Sequence, residues 1–336
     1  MAISMSAREN YLACLNHKPH QYTPGMTDLS RAGMTVTWEL ERGKGGAGVD
    51  AFGVRWVSPP SAMGGALPAP NEFMLEDVTQ WKKIVKIPDL SVYDWEGGAT
   101  AEEPILDRAN KVVEFGSINA VYERLATLMG FEGALLAMAL EPEATYELLD
   151  TLTDWKIELM KYGAKYFKPD TYSFNDDVAT ERTLFMSPET YRTLIKPMHK
   201  KLVDAVKELG IIPIQHTCGK ADIIVQDMID EGNHGWSAVQ ASNDIESIIE
   251  KHGDEFVIIG GYDTVGTPGI ESVATDEIVR KEVRRCMDTY GKYGKGYIFS
   301  GLVLIPGTAA DPVTSPSPLG EAIIDEFLKI RAEQTA

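Results

Sequence analysis

Beyond residue 110 the chain alternates between short apolar, β-prone runs and longer stretches whose apolar positions recur at helical spacing. The short runs fall at 112–117 ("VVEFGS"), 169–175 ("PDTYSFN"), 211–216 ("IIPIQH"), 236–240 ("WSAVQ"), 256–261 ("FVIIGG") and 296–300 ("GYIFS"). Between most of them lie helical patterns. "PEATYELLDTLTDWKIELMKYGAKYF" (142–167) carries an apolar stripe at i, i+3, i+4. "SPETYRTLIKPMHKKLVDAVKELG" (187–210) opens on Ser187 as N-cap with Pro188 in the first turn and stops at Gly210. Pro197 inside it should bend the helix, because proline brings no N–H and clashes with the preceding turn. "DIESIIEKHG" and "TDEIVRKEVRRCMDTYGKYG" follow the same scheme.

Such alternation calls for a parallel sheet with helical crossovers, either an open doubly wound sheet or a closed barrel. No G-x-G-x-x-G follows an early strand, which removes the main support for a dinucleotide-binding sheet. Polar residues gather where the apolar runs end: Asn175, Asp176 and Asp177; His216 and Cys218; Gln240; Tyr262 and Asp263; Ser300. A (β/α)8 TIM barrel keeps its chemistry at those carboxyl ends, and that α/β fold is the expectation. Upstream, Ser6 and Glu9 form a capping box that opens a helix through about Asn16. "HQYTPGMTD" (20–28) reads as a first strand entering a loop, and the Pro-, Gly- and Ala-rich 58–110 as irregular structure with short elements. The expected organisation is one barrel domain over 1–336, with N-terminal helical and irregular additions and an irregular insertion at about 58–110.

Composition narrows the partners. A formal net charge of −18 argues against nucleic acid or an anionic membrane, both of which demand basic patches. No apolar run reaches the length of a membrane span, and "MAISMSAREN" lacks the regions of a signal peptide. Three scattered cysteines, Cys14, Cys218 and Cys286, make no disulfide framework. A cytoplasmic location is expected, where a thiol is available as a metal ligand.

His216 and Cys218 stand two apart at the end of a strand, so both side chains project to one side, and Gly219 lets the chain turn away. An imidazole and a thiolate side by side make half of a tetrahedral zinc site. The alternative is a buried cysteine beside a hydrogen-bonded histidine.

"HTCGKADIIVQDMIDEGNHGWSAVQ" resembles the stretch around the H-x-C-G of the uroporphyrinogen decarboxylase superfamily, and looks most like its cobalamin-dependent methyltransferase branch. "SARENYLACLNHKPHQYTP", "VDAFGVRW" (49–56), "YERLATLMGFEGALLAMALEPEATYELLDTL" (122–152), "FNDDVATERTLFMSPETYRTLIKPMHKKL" (174–202) and "FVIIGGYDT" (256–264) follow that family in order. The resemblance implies a (β/α)8 barrel. Two departures bear on function. The arginine signature with which the decarboxylase holds its substrate's carboxylates is replaced by "YTPGMTDLSRAGM", which keeps Arg31 alone. Family methyltransferases acting on coenzyme M take a third metal ligand from a cysteine just before a Pro-Gly-Thr segment, and "FSGLVLIPGTAADP" (299–312) has none. Cys286, in a helical run, is expected to pack rather than ligate.

A metal here would need another third ligand. Asp177 is preferred to Asp176 on the family's "DD", with Glu181 as a further option and an Asx turn or helix cap as the alternative role of the aspartates. One thiolate, one imidazole and one carboxylate leave a more electrophilic ion than two thiolates, better suited to oxygen. The resemblance then implies a zinc-dependent methyltransferase, an O-demethylase component. It would move a methyl group from a small methylated donor, such as a methoxylated aromatic ether, to the cobalt of a separate corrinoid protein. The cobalamin would arrive on that partner, since no D-x-H-x-x-G occurs in the chain. Tyr172, Tyr262 and Asp177 are the catalytic candidates, and Glu123, Asn175, Gln240 and Asp263 the candidates for substrate contact. The rival readings are a coenzyme M-like thiol methyltransferase, a uroporphyrinogen decarboxylase-like lyase and a non-catalytic ligand-binding barrel.

Overall fold

The computed structural model describes residues 4–44, 47–59, 65–304 and 317–335. Nine strands occur among them: β1 Leu29–Ala32, β2 Trp56–Val57, β3 Leu67–Pro68, β4 Val112–Ser117, β5 Thr171–Asn175, β6 Ile212–His216, β7 Gly235–Val239, β8 Val257–Gly261 and β9 Tyr297–Ser300. Seven form one sheet in the order β1-β4-β5-β6-β7-β8-β9, every neighbouring pair parallel. The sheet closes on itself where Gly25 bridges Phe299, with Phe299 N donating to Pro24 O at 2.9 Å. The result is a TIM-barrel-type α/β fold. Its wall has seven described strands, and Pro24–Gly25 joins the two edges. The stretch 20–28 therefore supplies the closure rather than the first strand. That strand begins at Leu29, after a 3-10 turn at Met26–Asp28.

Side-chain parity explains where the cores lie. Val112, Ile214, Val257, Ile259 and Ile298 point into the lumen and pack with Tyr11, Cys14 and Leu15 of the helix Ala7–Leu15. That helix plugs the end where the strands begin. Ser6 caps it, with its hydroxyl accepting from Glu9 N at 3.2 Å. The carboxyl ends of the strands are thereby left for the site. The opposite parity, including Val113, Phe115, Tyr172 and Phe174, faces the surrounding helices and belongs to the larger core.

The long helix Pro142–Phe167 spans the predicted stretch. The predicted helix at 187–210 starts on Ser187 but widens into a π-type turn at Tyr191–Ile195 before continuing as Lys196–Glu208. Pro197 is the cause. It has no N–H for the carbonyl four residues earlier, and the wider turn takes up the mismatch. Residues 65–110 hold the β3 edge of the antiparallel β2–β3 ribbon and short helices at Trp81–Ile84 and Trp95–Glu102.

A fully buried charge cluster ties the segment holding Glu41 and Asp50 to two helices of the barrel. Arg124 reaches Asp50 at 2.6 Å and Glu41 at 3.4 Å, and Lys156 pairs with Glu41 and with Ile118 O. Burial pulls the Lys156 amine down to about 8, with Glu41 working against it.

Candidate metal centre

β5 and β6 lie in register with Asn175 opposite His216, so the residues that follow each strand emerge side by side at the barrel mouth. There Asp177, His216 and Cys218 each offer a ligand atom, all within 4.8 Å of one another and all partly buried. Local structure sets each one. Cys218 N donates to Asp177 Oδ1 at 2.7 Å, which locks the carboxylate beside the thiol. Ser237 Oγ on β7 lies 3.1 Å from His216 Nδ1 and orients the ring. Gly219 has φ +82°, and a Cβ there would lie 2.5 Å from Thr180 O, so only glycine lets the chain leave Cys218 at this angle.

The donor set fits a divalent cation. A tetrahedral zinc ion, with bonds of about 2.0–2.3 Å, sets its ligands roughly 3.3–3.8 Å apart, within about an ångström of the spacing present. Electrostatics favours one too. Burial pushes the Cys218 thiol well above its ordinary range, and the charges of Asp177 and Glu123 push it further. Burial, then Asp177 and Asp176, raise the Glu123 carboxyl in the same way, against the pull of Arg42 and Lys156. Acidic groups that raise one another are the surroundings in which a cation is most favourable.

Asp176 turns the other way. Its carboxylate accepts from Tyr122 N at 3.0 Å and Glu123 N at 2.8 Å, capping the helix Tyr122–Met129 from outside, and meets His199 Nε2 at 2.7 Å. Consecutive residues leaving a strand point to opposite sides, so one aspartate of the pair faces the lumen and the other the helices. Behind Asp176 the buried network runs through His199 and Tyr191 to Glu231, which accepts from Tyr191 Oη at 2.9 Å and from Asn233 Nδ2 at 3.1 Å.

This network makes stability depend on pH. Burial holds the Glu231 carboxyl up at about 7, against the opposing pull of His199. For His199 burial works downward, but the hydrogen bond to Asp176 together with the charges of Glu231 and Asp176 outweighs it, and the imidazole sits above its ordinary value. Both groups then keep protons in the folded state that the unfolded chain has released, so their contributions are complete at low pH and fade as pH rises. The urea midpoint is expected to fall between about pH 5 and pH 7.5. Glu231→Gln should flatten that slope, and a slope unchanged in the variant would contradict the assignment.

Other expected residues separate clearly. Asn175 lies on the lumen parity of β5 beside His216, and Glu123 stands in the first turn of its helix near Cys218. Gln240 accepts from Gly219 N at 3.1 Å, bracing the turn after Cys218. With Glu181 and Asp263 it lines a cavity of about 270 Å³ at the mouth. Asp263 Oδ1 also accepts from Gly266 N at 2.7 Å, an Asx turn.

The structure takes both tyrosines out of the site. Tyr172 is wholly buried on the outward parity of β5, between Phe115 and Phe174, with its hydroxyl on Ser117 Oγ at 2.6 Å. Tyr262 is buried, and its hydroxyl donates to Pro268 O at 3.0 Å. Both are apolar packing with a satisfied polar tip. Cys286 is buried with its thiol on Gly261 O at 3.3 Å, outside the ligand group. The Pro-Gly-Thr segment lies outside the described residues from 305 onward.

The fold is that of a methyltransferase from Methanosarcina mazei, whose solved structure matches with a TM-score of 0.71 at 14% identity, over 99% of this chain and 100% of that one. The chain belongs to the uroporphyrinogen decarboxylase (URO-D) family, whose model matches residues 99–314. No curated protein sequence matches it. Among the described residues no helix is long and apolar enough to cross a membrane.

Proposed function

We propose that this protein is a zinc-dependent methyltransferase that takes a methyl group from a small methoxylated aromatic ether and delivers it to the corrinoid of a separate protein. The observation that carries this reading is the convergence of Asp177, His216 and Cys218 at the mouth of the barrel. The family and the likeness in fold to a methyltransferase support it.

The ion would be held by His216, through the nitrogen away from Ser237, by Cys218 and by Asp177. When bound it would supply a Lewis acid that draws charge from the ether oxygen as the methyl leaves, a kind of stabilisation worth several kcal/mol in a dry site. The chain's own residues do the rest. Asp177 orients Cys218 through its backbone N–H, Gln240 holds the following turn, and Asn175 offers an amide beside His216 for a substrate oxygen. Glu123, whose carboxyl is pushed well above its ordinary range by burial and then by Asp177 and Asp176, is the candidate to hand a proton to the departing oxygen. The plug helix closes the end where the strands begin, so a docking partner would approach from the end where they stop.

A lyase acting on a polycarboxylated tetrapyrrole would need several inward cations. Arg31 points inward but lies 3.8 Å from Glu114, which already shares its charge. Mixing the protein with a reduced corrinoid protein and a panel of methoxyarenes, methylamines and methyl thioethers tests the proposal by absorbance. Methylated corrinoid is expected with methoxyarenes. Its appearance only with amines or thioethers, or with none of the panel, would refute the ether reading.

A further inference from the structure

We infer that the exposed apolar face of the helix Phe131–Leu140 is where the corrinoid protein docks, and that this partner offers an apolar patch rimmed by basic side chains. This deepens the methyltransferase reading above and rests on it for the partner's identity.

The helix reads FEGALLAMAL, with Glu132 as its single charged residue. Ala, Leu and Met are strong helix formers, so the segment coils without needing a polar side. A helix that is apolar all round is ordinarily buried all round. This one is not. Ala134, Ala137 and Met138 pack into the main core, while Phe131, Leu135, Leu136, Ala139 and Leu140 fall on the other half of the helix. Leu140 is 71% exposed, Phe131 51% and Leu136 50%. Phe73, also exposed, extends the face, because its ring lies so close to Gly130 that a Cβ there would come within 2.6 Å of its Cζ. The exposed portions add up to roughly 400 Å², a patch of the size that marks an interaction site and about half of what one partner contributes to a stable complex.

The position of the face and its charge decide the occupant. Phe131 meets Phe185 edge-on, with ring centroids 4.9 Å apart. Phe185 N donates to Val178 O at 2.8 Å, and Val178 directly follows the ligand Asp177. A protein that brings cobalt to the ligand group must rest on the rim of the mouth, and here that rim is apolar. Glu132 lies within the face, and Glu141 and Glu143 are exposed just beyond its end. Two copies meeting here would set these carboxylates against each other, with a net charge of −18 on each chain. An anionic lipid surface is disfavoured in the same way, since helices that lie on membranes carry Lys and Arg on their polar side. Basic residues on a different protein would instead pair with the carboxylates while its apolar centre covers the leucines.

The test is co-sedimentation of three samples: the protein alone, the protein with the corrinoid protein used in the methyl-transfer assay, and the protein with vesicles of phosphatidylserine and phosphatidylcholine. A complex with the corrinoid protein is expected, weakening as salt is raised. Leu136→Gln with Leu140→Gln should weaken it roughly 10–100-fold, the scale of losing anchors at the centre of an interface. Glu132→Lys with Glu141→Lys should weaken it as well. All four side chains are exposed, so both variants should melt close to the parent protein. No complex, or one as tight in either variant, would overturn the proposal. So would a dimer of the protein alone, or vesicle binding, that the leucine variant abolishes. Methyl transfer is scored separately. A complex that depends on Leu136 and Leu140 without any methylation would sink the functional reading and leave the docking face standing. Methylation of the corrinoid protein with an unaltered KM in the leucine variant would do the reverse.

Discussion

Cys218→Ala is expected to lower zinc affinity by roughly three orders of magnitude and to abolish methyl transfer, since even the outer partners of metal ligands are worth about 10–100-fold. Equilibrium dialysis against zinc measures the first effect and corrinoid methylation the second. The fold should not suffer. The bond that holds Asp177 comes from the backbone N–H of residue 218, which alanine keeps, and the lost sulfur lies at a partly buried site. A variant that melts with the parent protein yet binds no zinc matches the account. A variant that keeps one equivalent of zinc and full activity contradicts it.

The neighbouring position should behave in the opposite way. Asp176→Ala is expected to cost roughly 3–5 kcal/mol of stability, because it leaves His199 and two helical N–H groups without their buried partner. Urea unfolding at neutral pH reads this directly. A loss below about 1 kcal/mol would mean that the cap and the histidine pair contribute little. Zinc content per folded molecule should stay near the parent value. One aspartate of the pair thus serves the proposed ion, and the other holds the helix that presents Glu123.

Much of this was legible in the chain. Strand ends are visible because apolar runs stop abruptly, and six runs between 112 and 300 match β4 to β9 to within two residues at either end. The H-x-C pair could be read because a strand has a period of two, which puts His216 and Cys218 on one side whatever surrounds them. The two tyrosines misled for the same reason. They stand at or beside strand ends, but Tyr172 has the wrong parity relative to His216, and only the cross-strand register Asn175↔His216 fixes which parity faces the lumen. The barrel's closure was not legible either. It depends on one bridge between Gly25 and Phe299, far apart in sequence and without any local apolar pattern.

The central claim is that one imidazole, one thiolate and one carboxylate share a single divalent ion, and zinc-edge X-ray absorption on protein loaded with one equivalent of zinc tests it most directly. The account predicts one sulfur neighbour at about 2.3 Å with nitrogen and oxygen neighbours at about 2.0–2.1 Å. A shell of nitrogen and oxygen alone, two or more sulfurs, or failure to take up the ion would contradict it.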